Sequence, residues 1–144
     1  MSAKNMNHLV APLDLLFTPE ILTIGIGDGG NELGMGTVYN KIVKSTIPNA
    51  AEIACTVPSN HCLVASVSNW GGFALAAAIV LLDGGRSKEA LTTEGVEGRK
   101  MVGMREAGTR DGVTRELGET VDGMSFEENM KVLNEIRRIT RLYN

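Results

Sequence analysis

Apolar positions along this chain switch between a two-residue and a roughly helical period, and the switches mark elements. Ile21–Ile26 is a short β-type run bounded by glycine. Glu32–Lys44 follows with Leu33, Val38, Ile42 and Val43 roughly on one face, which predicts a helix broken at Pro48 and Asn49. Two short strands are predicted next, Glu52–Thr56 and Cys62–Val67, joined by the turn residues Pro58-Ser59-Asn60. Ser68 and Asn69 then cap a helix from Trp70 to Leu82 that stops at Asp83-Gly84-Gly85. That helix is alanine-rich and apolar all round, so burial between layers is expected.

Upstream, Leu9–Phe17 reads as helix or turn closed by Pro19. Downstream, a charged helix is predicted over Glu94–Ala107 and a loop over Gly108–Thr114. A last helix, Ser125–Leu142, opens on the capping-box pair Ser125 and Glu128, with Leu133, Ile136, Ile139 and Thr140 facing inward. Strands alternating with helices predict an α/β fold, a layered, largely parallel sheet flanked by helices of the Rossmann-like kind. Three strands are few for such a sheet, so residues 1–144 read as the C-terminal portion of a single larger α/β domain.

Composition narrows the function classes. The net charge of −3 argues against a broad nucleic-acid or membrane-surface footprint. Two cysteines, Cys55 and Cys62, do not make a disulfide scaffold and suit a reducing, intracellular compartment. The longest apolar stretch, Phe73–Leu82, is ten residues, about half of a membrane span. No signal peptide is expected from the first 20 residues.

Candidate chemistry gathers at three places. The run Gly27-Asp28-Gly29-Gly30-Asn31-Glu32-Leu33-Gly34-Met35-Gly36 follows the first strand, where α/β proteins collect ligands. Its spacing is neither a P-loop nor a clean dinucleotide fingerprint, because Asp28 stands where a pyrophosphate needs neutral backbone. A carboxylate there can act as a base, orient an amino group or hold a divalent cation; equally, Asp28 can cap the next helix. The second place is Ser66-Val67-Ser68-Asn69-Trp70-Gly71-Gly72, whose hydroxyl, amide and free helix-start N–H groups can hold an oxyanion, or form a simple cap beside a buried Trp70. The third is Arg110-Asp111-Gly112-Val113-Thr114, followed by Thr120-Val121-Asp122-Gly123, where Arg110 can clamp a carboxylate or merely belong to a surface turn. His8 and His61 lack an orienting partner and read as structural or solvent-facing, and the cysteines as packed in strands.

In combination these segments resemble the D-glutamate cyclase family. The glycine run 27–36, the run Ser-Val-Ser-Asn-Trp-Gly-Gly-Phe-Ala-Leu over 66–75 and Arg-Asp-Gly-Val-Thr over 110–114 carry the likeness in order and approximate separation. Weaker similarity includes His8-Leu9-Val10, Asp14, Phe17 and Val121-Asp122-Gly123. The resemblance covers the C-terminal part of the family's domain. It implies a lyase that closes D-glutamate to 5-oxo-D-proline with loss of water, and for animal members the mitochondrial matrix; without the resemblance the cytoplasm is the default.

Such a reaction needs a base for the α-amine, a polarised γ-carboxylate and a curled substrate. Chemistry assigns Asp28 or Glu32 as base, directly or through a divalent cation; the sequence leaves the cofactor open. Ser68 and Asn69 take the developing oxyanion. Gly29, Gly30, Asn31, Trp70, Gly71, Arg110 and Asp111 border the substrate, with Arg110 holding its α-carboxylate. The expected partner is the small-molecule substrate, with no nucleic acid and no membrane; the sequence leaves the oligomeric state open. Two alternatives stand. One is a non-catalytic or truncated amino-acid-binding α/β module. The other is a metal-dependent phosphatase-like enzyme, suggested by Gly-Asp-Gly-x-Asn-Glu but lacking an upstream Asp-x-Asp.

Overall fold

The computed structural model describes Leu15 and residues 18–142, the side chain of Leu142 aside. His8 and, apart from Leu15, the helix predicted over 9–17 lie outside the described residues. The chain divides into two compact units, Met1–Gly71 and Gly72–Asn144.

In the first unit, β1 (Ile24–Gly27) and β2 (His61–Val64) pair in parallel, with Ile24 opposite His61 and Gly27 opposite Val64. The chain leaving β1 does not enter a helix at Glu32, as the apolar period predicts. It folds back, bridges Pro58 through Gly34 and Met35, and reaches a 3-10 turn (Gly36–Val38) and a single helical turn, α1 (Tyr39–Ile42). The reason is Gly34, whose φ of +95° breaks any helix begun upstream of it. The strand predicted over 52–56 is also replaced. Asn49 enters the left-handed region, α2 (Ala50–Ile53) forms one turn, and the chain then runs extended with Ala54, Cys55 and Val57 buried.

These buried residues join Met35, Ile42 and Ala50 in the core of the unit, ringed by Leu33, Val38, Tyr39, Val43, Ile47 and Cys62. Burying a side chain the size of Met35 contributes about 1.5–3 kcal/mol, so this cluster holds the fold-back in place. At the amino end of the strand pair, Asn60 Oδ1 accepts from the Thr23 amide and the Thr23 hydroxyl, both at 2.8 Å. Ser59 Oγ accepts from the Gly25 amide at 3.1 Å and donates toward the carbonyls of Gly34 (2.9 Å) and His61 (2.7 Å).

Helix α3 (Ser68–Leu82) starts two residues earlier than the cap pattern predicts and crosses from the first unit into the second. Its expected burial on every side is not met. Gly71, Ala77 and Val80 are buried, whereas Ile79 is 52% and Leu82 88% exposed. An apolar composition fixes what a helix can bury; the neighbours it meets fix how much.

The second unit holds a 3-10 turn (Lys88–Ala90), α4 (Glu94–Glu106), an antiparallel hairpin of β3 (Thr120–Val121) and β4 (Met124–Ser125), and α5 (Phe126–Leu142). Thr93 caps α4 by accepting from the Val96 amide at 3.3 Å. The capping box of α5 is as predicted: the Ser125 amide donates to Glu128 Oε2 at 2.9 Å and the Glu128 amide to Ser125 Oγ at 3.2 Å. Met130, Leu133 and Thr140 are buried, but Ile139 is 41% exposed. At 3.6 residues per turn Ile139 falls about 120° away from Leu133, so it cannot share the inner face.

The hairpin turn is Asp122-Gly123, with φ of 52° and 80°. That pair is a strong sequence signal for a two-residue hairpin loop. The fold is therefore mixed α/β, but the wide, largely parallel layered sheet is not what the described residues form. They give one parallel pair and one antiparallel hairpin. Among them no helix is long and apolar enough to cross a membrane.

Candidate functional site

The glycine run earns its composition from backbone lying on backbone. A Cβ on Gly25 would sit 2.7 Å from the Gly34 carbonyl carbon, and one on Gly34 would sit 2.6 Å from the Gly25 Cα. The returning loop therefore lies directly on the strand it has just left. At Gly25 and Gly34 the missing side chains admit the chain itself.

Two carboxylates flank this fold-back. Glu32 turns over Gly27, where a Cβ would stand 2.5 Å from its Oε2. Its Oε1 accepts from the Gly29 amide at 3.3 Å, and Oε2 is buried with no hydrogen-bond partner. Asp28 is exposed, and its Oδ2 accepts from the Ser68 amide at 2.9 Å, 40 residues on. Asp28 thus caps a helix, but it is α3 rather than the segment that follows it. A negative charge at that helix start is favoured by the unpaired N–H groups and the helix dipole.

This contact brings Asp28, Ser68 and the adjoining Asn69 to the carboxyl end of the strand pair, the edge where ligands bind in α/β sheets. Asn69 is exposed there. Gly71 is buried, and a Cβ on it would meet Ile26 Cγ2 at 2.8 Å, so its lack of a side chain lets α3 close onto β1. Gly30 is buried against Ile42, and its carbonyl accepts from the Cys55 amide at 3.0 Å. Asn31 and Trp70 are half-buried. Of the predicted substrate-bordering residues, Gly30 and Gly71 therefore face the protein's own packing, and Gly29 supplies the amide that holds Glu32.

Arg110 and Asp111 belong to the second unit. Arg110 is exposed, with Nη1 donating to the Arg115 carbonyl at 3.1 Å, and it lines a cavity of about 130 Å³ with Met101, Met104, Thr109 and Thr120. Asp111 is buried, and both carboxylate oxygens are occupied. Oδ1 accepts from the amides of Val113 (2.6 Å) and Thr114 (3.0 Å), and Oδ2 from that of Gly123 (3.0 Å). Burial pushes this carboxyl up, but the amides of Gly123, Thr114 and Val113 outweigh it and hold the group at about 2. Asp111 ties its loop to the hairpin turn.

His61 is exposed on β2. Both cysteines are free thiols; Cys62 lies in β2 as expected, whereas Cys55 is buried outside any strand. A divalent cation needs several oxygen ligands. Among the described residues no three His, Cys, Asp or Glu side chains gather, and Asp28 and Glu32 each already have one oxygen on an amide. This donor set does not fit a cation. The polar clamp of Thr23, Ser59 and Asn60 had no motif to announce it. It borders a cavity of about 340 Å³ at the opposite, amino end of the strand pair.

Residues 1–137 match a family model described as D-glutamate cyclase-like, C-terminal. The chain is also similar to a human protein named D-glutamate cyclase, mitochondrial. The two are 48% identical over 83 residues, which is 54% of this chain and 13% of the human protein.

Proposed function

Since the chain belongs to the D-glutamate cyclase-like C-terminal family, we propose that it carries out, or forms the catalytic part of an enzyme that carries out, closure of D-glutamate to 5-oxo-D-proline with loss of water. The observation that supports this most is the 2.9 Å bond from the Ser68 amide to Asp28, because it joins an acid and a hydroxyl-amide pair at one strand edge.

In the reaction the α-amine forms a C–N bond to the γ-carboxyl carbon, a C–O bond breaks, and the departing oxygen leaves as water with the protons released. Asp28 is the exposed acid, with one oxygen fixed by the Ser68 amide, and it takes the amine proton and returns it to the leaving oxygen. The Ser68 and Asn69 side chains stabilise the oxyanion that develops on the γ-carboxyl group. Glu32 positions the turn through Gly29, and Asn31 and Trp70 border the substrate. Arg110, in a loop ordered by Asp111, is a separate carboxylate-binding group of the second unit. In this reading the parallel pair belongs to a wider layered sheet, and the compartment is mitochondrial, as in the human relative's name, with the matrix the location that the family resemblance implies.

The test is 5-oxoproline formation from D-glutamate by this chain and its Asp28→Asn variant, followed by chromatography. Turnover by the parent that drops about 100-fold or more in the variant, with folding retained, supports the assignment. Equal turnover in both removes Asp28 from the chemistry. Calorimetric binding of D-glutamate without turnover makes the chain an amino-acid-binding module instead.

A further inference from the structure

A second cavity, of about 420 Å³, lies in the second unit and is lined by Lys88, Glu89, Leu91, Arg137, Thr140 and Arg141. Three cations and one carboxylate converge there on a chain whose net charge is −3, so the cavity runs against the overall balance. Arg137 is half-buried and held in place: its Nη1 donates to the carbonyl of Leu91 at 2.9 Å and to that of Thr92. A guanidinium fixed at one nitrogen keeps its other N–H donors in a set direction. Thr140 is buried with its hydroxyl on the Ile136 carbonyl at 2.7 Å, giving a rigid wall. Among the described residues neither Lys88 nor Arg141 forms a salt bridge.

Basic residues in the last turn of a helix complement its dipole, which accounts for Arg141 on α5. It does not account for Lys88, which reaches the same cavity from the separate Lys88–Ala90 turn. Convergence of fixed and free cations from two elements on one concave wall is how proteins recognise oxyanions. We infer that this cavity binds a small, multiply charged oxyanion, a phosphate-bearing or polycarboxylate molecule, independently of the Asp28 site.

Titration calorimetry of the full chain with inorganic phosphate, and separately with citrate, tests it without any activity readout. Saturable binding of one equivalent of either anion is expected, the tighter one identifying the source. The double variant Lys88→Gln, Arg141→Gln should weaken it about tenfold or more, while Arg99→Gln with Lys131→Gln, at exposed cations outside the cavity, should not. Anion-induced shifts of the Leu91 and Thr140 amide resonances report the same event if either variant folds poorly. Absence of saturable heat and of those shifts, or equal weakening in both variants, overturns the site.

Discussion

Asp28 and Asp111 are chemically the same device, a carboxylate accepting backbone amides, set in two different regions. Asp111 is buried and reaches residues 2, 3 and 12 positions on, so every lone pair that matters is used locally and the loop closes on itself. Asp28 is exposed and reaches across 40 residues to the start of α3. A carboxylate saturated by its own loop is an architectural part. One that holds two distant segments together while facing water can also meet a substrate. Side-chain type alone does not separate these roles; the sequence distance and number of its donors do.

The comparison can be broken first at the backbone. Gly34→Ala forces a side chain at positive φ into Gly25, so the first unit should lose about 3–5 kcal/mol or fail to fold, seen as a lower urea midpoint. A midpoint unchanged from the parent would mean the fold-back is not built as described. Asp111→Ala should come next, at about 1–3 kcal/mol, because three part-buried amides lose a charged acceptor.

The same residue gives a pH dependence. Its folded value of about 2 lies below its ordinary 3.8, so between the two the unfolded chain binds more protons and stability rises with pH. The contribution is therefore complete above about pH 4 and is lost as pH falls toward 2. A denaturation series across that window should flatten in Asp111→Asn. Asp28→Asn should lower stability by only about 1 kcal/mol, since the amide oxygen still accepts from Ser68 and only the charge at the helix start is lost. A loss as large as that of Asp111→Ala would erase the distinction between the two sites. Gly103→Ala, in an open stretch of α4 with nothing within 4 Å, should raise stability by about 0.5–1 kcal/mol. The opposite signs expected at Gly34 and Gly103 separate glycines that the fold requires from one it tolerates.

Local chemistry by itself determined several features. The Ser125–Glu128 capping box, α4 over almost its predicted length, the stop at Asp83-Gly84-Gly85 and the loop after Gly108 follow from interactions within a few residues. The family was legible for a related reason, because its motifs are contiguous runs. Asp122-Gly123 also carried its hairpin in plain view, though the strands beside it are only two residues long. What tertiary structure decided was every pairing across long sequence distances. The helix expected from Glu32 gave way because Gly34 had to lie on Gly25. The strand expected at 52–56 became a helical turn leading into the core. Asp28 found its amide on a helix 40 residues away. An apolar period records which faces can be buried, whereas close backbone approach and long-range hydrogen bonds exist only once the chain has been brought together.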